Sequence, residues 1–180
     1  MDADGPPKEM IESARLAAVL SPCEKSKRGA VVYTDAHLDG SKTLLYSSGF
    51  NSPPDGIECF GTPECRKHCA MRCNHAEERA LMALLRLPAL ELRRRSPGDA
   101  ARHGPLVMLH VKVVDENVVA GGGPGCAMCS RAILDSGIIH GIWLFQSGQS
   151  ATSRINEPDR WVYWEARDFH RETCAALGIP

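Results

Sequence analysis

The chain has 180 residues, of which 43% are hydrophobic and 24% charged, and its formal net charge is −1. This length and composition predict a single globular domain over residues 1–180. A net charge near zero argues against a general nucleic-acid-binding protein, which normally carries a basic excess. No apolar run reaches the roughly 18 residues that span a bilayer, and the N-terminal residues do not resemble a signal peptide. We therefore expect a cytoplasmic protein with no membrane partner.

The spacing of apolar residues predicts the secondary structure in chain order. It indicates a helix at 7–20, a strand pair at 29–33 and 43–50, a helix from His75 to Leu87, a strand at 106–114, a helix at 127–136 capped by Gly137, a strand at 138–145 and a last helix at 159–177. Residues 91–105 are basic and rich in breakers, and predict a surface insertion. Strands that alternate with helices predict an α/β protein, a three-layer α/β/α sandwich around a mixed central sheet.

Two short motifs indicate the chemistry. His75 and Glu77 form H-x-E at a predicted helix start, and Cys126 and Cys129 form C-x-x-C about fifty residues later. One imidazole and two thiolates supply three ligands for a tetrahedral Zn²⁺ with an open fourth position, which is the catalytic form of such a site. H-x-E followed by P-C-x-x-C is typical of zinc-dependent nucleobase deaminases, in which the glutamate carries protons. We therefore predict that Glu77 is catalytic. The alternatives are a structural zinc knuckle or a chance match.

A second group of cysteines has helical spacing. Cys65, Cys69 and Cys73 are four residues apart, so on a helix they would share one face. Their neighbours are charged, which favours a second, closed zinc site over buried reduced thiols. The fourth ligand would come from elsewhere in the chain, and the candidates are Cys23, Cys59 and His68.

These motifs resemble those of the cytidine and deoxycytidylate deaminases, the deoxycytidylate branch above all. The resemblance spans about Ile11 to Ile179 and is carried by the segment from Ser21 to Val32, by Ser48-Gly49-Phe50-Asn51, by His75-Ala76-Glu77 and by the C-x-x-C pair. It implies a cytidine deaminase-like fold, a homo-oligomer and a contact between Asn51 and the sugar, and it places Ala76 in the substrate site. It also implies a structural zinc bound by Cys23, Cys65, Cys69 and Cys73.

The chain departs from this family at segments that contact the substrate in family members. Gly125 separates Pro124 from Cys126, where the family places proline directly before the cysteine. Residues 144–148, Leu-Phe-Gln-Ser-Gly, stand where the deoxycytidylate branch has a tyrosine-bearing run near the base and phosphate. Residues 93–105 resemble an insertion, and the family's fifth strand would follow the last helix, where this chain ends.

Several further side chains are candidates with two interpretations each. Lys25, Lys27 and Arg28 would either bind a phosphate or form a solvated loop. The basic residues Arg93, Arg94, Arg95, Arg102 and His103 are expected to be a solvated surface instead of a nucleic-acid site. The cluster of Trp161, Tyr163 and Trp164 is expected to pack the last helix onto the core instead of stacking on a base. His110 is expected to be a core histidine with its hydrogen bonds satisfied.

The sequence thus predicts a zinc-dependent hydrolase that deaminates a free cytosine nucleotide or nucleoside, with dCMP to dUMP as the preferred reaction. It predicts one catalytic and one structural Zn²⁺ per chain. Two alternatives stay open. The first is a deaminase of a base within single-stranded DNA or RNA, or of another amino-heterocycle. The second is a non-catalytic, zinc-stabilised binding module, which the presence of a proton carrier beside the metal ligands argues against.

Overall fold

A computed structural model describes residues 5–34, 43–54, 58–64, 73–87, 105–121, 125–148 and 158–179. Its elements are α1 (Lys8–Val19), β1 (Lys27–Thr34), β2 (Leu45–Phe50), α2 (Ala76–Leu85), β3 (Leu106–Val114), β4 (Asn117–Val119), α3 (Ala127–Ser136), β5 (Ile139–Gln146), β6 (Arg160–Glu165) and α4 (Ala166–Ala176). The elements predicted up to residue 145 agree with these bounds to within two residues. Gly137 ends α3 in the left-handed conformation, with φ 64° and ψ 1°, as predicted.

The strands form one six-stranded sheet in the order β2-β1-β3-β5-β6, and β4 pairs with the end of β3. β3 and β5 run parallel, and the other neighbours run antiparallel. The predicted α/β class with a mixed central sheet is therefore confirmed. The short strand β4 was not predicted; it follows a tight turn in which Asp115 and Glu116 have φ values of 47° and 63°.

Alternating side chains along the central strands divide the interior into two cores, one on each face of the sheet. Val31 and Tyr33 of β1 pack beneath α1, together with Met10 and Ala14 from that helix. The intervening β1 residues belong to the opposite core, which α2, α3 and α4 cover through side chains that include Ala80, Leu84, Ile133 and Phe169. Helices thus cover both faces of the sheet, and the predicted three layers are present.

The first turns of α2 pack directly against the backbone of β2, and Gly49 permits this contact because it has no side chain. A Cβ atom at Gly49 would lie 2.4 Å from the backbone nitrogen of Ala80 and 2.6 Å from the carbonyl oxygen of Ala76. The hydroxyl of Ser47 donates a hydrogen bond to the carbonyl of Ala80 (2.8 Å). These contacts fix the start of α2 against the sheet, and the candidate site is built at that end of the helix.

The prediction of a single helix over 159–177 is wrong in its first part. Arg160–Glu165 forms β6, which pairs antiparallel with β5, and α4 begins only at Ala166. Aromatic and β-branched residues favour a pleated, half-buried surface. Trp161 contacts Phe145 with ring centroids 5.0 Å apart, and Tyr163 contacts Trp143 at 5.2 Å. The aromatic residues pack against the cores as expected, but they do so from an edge strand.

The predicted insertion lies outside the described residues apart from Pro105, and so does the basic cluster from Arg93 to His103. Within the part of the chain that the structure describes, no helix is both long enough and apolar enough to cross a membrane.

Candidate metal centre and active site

The structure brings together the three residues predicted to bind the catalytic metal. The donor atoms of His75, Cys126 and Cys129 all lie within 4.8 Å of one another. Nδ1 of His75 is 3.1 Å from Sγ of Cys129, and the two sulfur atoms are 3.4 Å apart. His75 and Cys129 are respectively half-buried and buried, so the cluster lies at the inner end of an opening to solvent.

Both segments of the candidate metal cluster lie at helix N-termini, as the sequence predicts. His75 is the residue before α2, and its backbone is extended, with φ −83° and ψ 154°. The preceding residue, Asn74, exchanges two backbone hydrogen bonds with Ser52 (2.9 and 3.1 Å), and this pairing sets where α2 begins. Cys126 caps α3, and its sulfur accepts a hydrogen bond from the backbone N–H of Cys129 (3.4 Å). A helix N-terminus favours the thiolate form of such a cysteine.

The donor set fits a zinc ion. Zinc binds an imidazole nitrogen at about 2.0–2.1 Å and a thiolate sulfur at about 2.3 Å, so neighbouring donors in a tetrahedral site lie about 3.5–3.8 Å apart. The measured His75–Cys129 and Cys126–Cys129 distances of 3.1 and 3.4 Å are within about half an ångström of that spacing. The three side chains therefore need only small adjustments to surround an ion.

The two thiols of the cluster differ in acidity. The contact with Cys129, together with the imidazole of His75, lowers the pKa of Cys126 to about 4. The same contact with Cys126, reinforced by burial and by the carboxylate of Glu77, raises the pKa of Cys129. The hydrogen bond with Cys126 raises the pKa of His75. Without a metal, the cluster therefore holds one thiolate and retains the proton of Cys129 at neutral pH.

Glu77 lies in the first turn of α2 with only 5% of its surface exposed. Burial acts to raise the pKa of this carboxyl group. The protonated form of His110, the backbone N–H of Glu77 itself and the positive charges of His75 and Arg28 act in the opposite direction and lower the pKa below its ordinary value. Glu77 is therefore a buried carboxylate at neutral pH, and it can accept a proton beside the metal ligands.

His110 is buried, as expected for a core residue, but the prediction that its hydrogen bonds are satisfied is wrong. Its Nε2 atom has no hydrogen-bond partner among the described residues. That atom lies 3.7 Å from Oε1 of Glu77. Burial lowers the pKa of His110 more than the neighbouring Glu77 carboxylate raises it. The expectation failed because only the first part of this face of β3 packs in the core. Leu106 and Met108 lie in the core, whereas His110 and Lys112 line the site.

A cavity of about 470 Å³ opens at this site. Glu77, His75 and Cys126 line it, and so do three cationic residues, Lys25, Arg28 and Lys112. Of the predicted phosphate-binding residues, Lys27 does not line the cavity; its ammonium group donates to the carbonyl of Val19 (3.2 Å). Lys112 was not predicted, although its position two residues beyond His110 on an alternating strand is a sequence signal that it faces the same side.

The two other predicted substrate-binding residues have different surroundings. The Asn51 side chain lines the cavity, but its Oδ1 accepts hydrogen bonds from the backbone N–H of Arg28 (2.7 Å) and the hydroxyl of Ser21 (2.9 Å), and its Nδ2 donates to Ser26 (2.8 Å). These bonds hold the segment before β1 and leave one amide hydrogen for a ligand. Ala76 is fully buried in the core and is not among the cavity-lining residues.

The predicted second zinc site falls only partly within the structure. Cys65, Cys69 and His68 lie outside the described residues, whereas Cys23 is buried and Cys73 is half-buried. Cys73 lines the same cavity as His75. Among the described residues, only the cluster of His75, Cys126 and Cys129 has the spacing of a metal site.

Two departures from the resembled family have a structural counterpart. A Cβ atom at Gly125 would lie 3.0 Å from the ring of Phe169, which is a tight contact, and 3.7 Å from Oε1 of Glu77, which is an ordinary one. Leu144, Phe145 and Gln146, which replace the tyrosine-bearing run, line the cavity. The cavity wall therefore differs in composition from the one that the resemblance implies.

The fold and the donor set together define an α/β protein with a candidate His-Cys-Cys metal centre at two helix N-termini. The sequence matches no protein-family model and no curated protein. Similar solved structures include the dCMP deaminase of the cyanophage S-TIM5 in apo form (18% identity, TM-score 0.43, covering 75% of this chain and 78% of that one). Others are the cytidine deaminase of Burkholderia pseudomallei (16%, 0.47, 91% and 95%) and the S-TIM5 enzyme with dCMP and dUMP (18%, 0.43, 74% and 79%). At such low identity the likeness concerns the fold alone.

Proposed function

We propose that the protein is a zinc-dependent hydrolase that removes the amino group of a cytosine-type nucleotide or nucleoside, with conversion of dCMP to dUMP and ammonia as the preferred reaction. One observation carries the proposal. A buried carboxylate, Glu77, lines the same cavity as His75 and Cys126 of the cluster and lies in the first turn of the helix that follows His75. A purely structural metal site has no use for a buried charge beside it, because burying a carboxylate is costly.

The residues have distinct roles in this reaction. His75, Cys126 and Cys129 would hold the metal, which as a Lewis acid makes a water molecule acidic near neutral pH. Glu77 accepts a proton from the attacking water, whose oxygen bonds to the ring carbon that carries the amino group. Glu77 gives that proton to the adjacent ring nitrogen, then takes the second proton from the oxygen now bonded to the ring carbon and gives it to the departing amine, which leaves as ammonia. The ring carbon gains an oxygen and loses a nitrogen, and the carboxylate returns to its starting state.

The charges of the cavity favour a nucleotide over a nucleoside. Arg28 of β1 and Lys112 of β3 are direct register partners on neighbouring strands, and both line the cavity. Like charges placed opposite each other on a sheet destabilise it unless an anion lies between them. Lys25 adds a third positive charge to the lining. A substrate phosphate would neutralise this group, and we therefore assign Lys25, Arg28 and Lys112 to phosphate binding.

Ammonia release from a panel of substrates tests the proposal. The zinc-loaded protein is incubated with cytosine, cytidine, deoxycytidine, CMP, dCMP, adenine nucleotides and single-stranded oligonucleotides. Turnover of dCMP above the nucleosides supports the assignment. Turnover of oligonucleotides alone, or of a different amino-heterocycle alone, would replace it with the corresponding alternative. A zinc-bound protein that is inactive on the whole panel would instead favour a binding module.

Further parts of the proposal follow from the resemblance. We propose a second, structural zinc bound by Cys23, Cys65, Cys69 and Cys73 and a sugar contact by Asn51. Metal analysis should then give two zinc ions per chain, and Cys69→Ala should remove one of them without abolishing the other. We also propose a single domain with a surface insertion at 91–105, a homo-oligomer and a cytoplasmic location. Sedimentation analysis of the purified protein tests the oligomeric state.

A further inference from the structure

The proposed reaction assigns no role to His110, although this histidine faces Glu77. Nε2 of His110 is 3.7 Å from Oε1 of Glu77, and the two side chains are 8% and 6% exposed. Within the part of the chain that the structure describes, Nε2 has no hydrogen-bond partner. Buried polar atoms in proteins are nearly always hydrogen-bonded. The Glu77 oxygen is therefore the group that this nitrogen is placed to contact.

The position of His110 on β3 fixes the direction of its ring. Leu106 and Met108 are on the same side of the strand and belong to the core beneath α2, α3 and α4. His110 is the next residue on that side, and its register partners are Ala30 of β1 and Leu144 of β5. An aliphatic side chain, such as those at the preceding positions, would fill this site without burying an unpaired nitrogen. The imidazole therefore provides a polar contact that the packing itself does not require.

We propose that His110 is a positioning residue for Glu77, whose Nε2–H donates to Oε1 and holds the carboxylate in one orientation. The other carboxylate oxygen is then left to exchange protons during the reaction. This inference rests on the proposed function, which gives Glu77 its proton-carrying role. Because burial disfavours the charged form of His110, the ring is a neutral imidazole with one N–H to donate.

The observed distance allows this contact to form when substrate binds. A direct N–H···O hydrogen bond spans about 2.7–3.2 Å, and the observed separation is 3.7 Å. A small rotation of the Glu77 side chain closes that gap, and hydrogen bonds at catalytic sites commonly tighten only in the substrate complex.

Kinetics of His110 variants test the inference. His110→Leu removes the N–H and should lower kcat by on the order of 100-fold while KM changes less than about threefold, because a misplaced catalytic group slows the chemical step. His110→Gln keeps an amide N–H and should recover at least about tenfold of that loss. Exposed His140 of β5 provides the matched control, and His140→Leu should leave kcat unchanged. Zinc content and thermal midpoint are measured for every variant.

A spectroscopic measurement tests the same contact without turnover. Long-range ¹⁵N–¹H correlation spectra of the zinc-loaded, full-length protein report which nitrogen of each histidine carries the proton. We expect His110 to be protonated at Nε2, and we expect its Nε2 resonance to shift in Glu77→Gln while the resonances of His140 do not. Protonation at Nδ1, or an Nε2 resonance that does not shift in Glu77→Gln, would overturn the inference even if the protein is an active deaminase.

The failures of the two proposals are distinguishable. An inactive wild-type protein refutes the proposed function, and the spectra then still decide whether His110 contacts Glu77. An active wild type with an unimpaired His110→Leu variant refutes the inference alone. A higher KM with an unchanged kcat would show that the imidazole contacts substrate instead, which also overturns it. Equal losses in the leucine and glutamine variants would exclude an N–H donor as the functional group.

Discussion

Replacement of Glu77 by glutamine separates catalysis from metal binding and from folding. Glutamine keeps the volume of the side chain and removes its ability to accept a proton. General acid–base catalysis contributes about 10²–10⁴-fold to a rate, or about 3–5 kcal/mol of activation free energy. Glu77 is the only carboxylate among the described residues that line the cavity. No other carboxylate among these described residues can replace it, and we therefore expect a loss in kcat near 10⁴-fold.

The effect of Glu77→Gln on stability should be small. The substitution removes a favourable interaction between a carboxylate and the N-terminus of α2, which contributes about 0.3–1 kcal/mol. It also removes the free-energy cost of burying a charged group, because Glu77 is only 5% exposed. These changes oppose each other, so the free energy of unfolding should change by less than about 1 kcal/mol.

The assay compares ammonia release, zinc content and urea unfolding for the wild type, Glu77→Gln and Glu78→Gln. Glu78 is the matched control, because it is the adjacent glutamate of the same helix turn but is exposed to solvent. We expect Glu78→Gln to retain activity within about twofold. A Glu77→Gln protein that keeps zinc and retains more than a tenth of the wild-type kcat would refute the proton-carrying role.

Three further predictions concern the metal and the substrate. Cys129→Ser should abolish zinc binding at the catalytic centre, whereas Cys174→Ser, at a half-buried cysteine in α4 outside that cluster, should leave the zinc content unchanged. Zinc affinity should rise by at least about tenfold per pH unit near neutrality, because the pKa of Cys129 is raised and its proton must leave. The raised pKa of His75 steepens this dependence wherever the imidazole is still protonated, whereas Cys126, with a pKa of about 4, is already a thiolate. Calorimetric titrations from pH 6 to 8 measure the slope, and a flat profile would contradict the prediction. Lys112→Met should raise KM for dCMP about tenfold without changing turnover of deoxycytidine, and Lys27→Met, at a lysine outside the cavity, serves as the control.

The sequence predicts the metal cluster well because its signal is local. Each half of the cluster lies within a few residues of a helix start, and the helix from Ala127 to Ser136 and its Gly137 cap could be read from apolar spacing and a glycine. The chemistry of the donors then indicates that the two halves meet. Their distances, and the burial of Glu77, depend on packing between α2 and the sheet, which a single sequence does not report.

The parts that the sequence does not predict are those where two patterns overlap. The segment Arg160–Glu165 has aromatic residues on both sides, so it lacks the alternation of polar and apolar residues that identifies an edge strand, and it runs directly into α4. His110 was assigned to the core because its neighbours on β3 are apolar. The residue of β3 at which core packing stops depends on how far α2 extends over the sheet, which is determined by the tertiary structure.

The alternation of side chains along β3 limits which insertions and deletions this protein tolerates. Odd-numbered residues of the strand, from Val107 to Val113, pack beneath α1, and the even-numbered residues continue from the opposite core into the cavity. A shift of one residue would exchange the two sets completely, because side chains alternate along a strand. It would place His110 and Lys112 beneath the apolar face of α1 and bring valines into the cavity. Length changes are therefore far less tolerable in this strand than in the turn that follows it at Asp115 and Glu116.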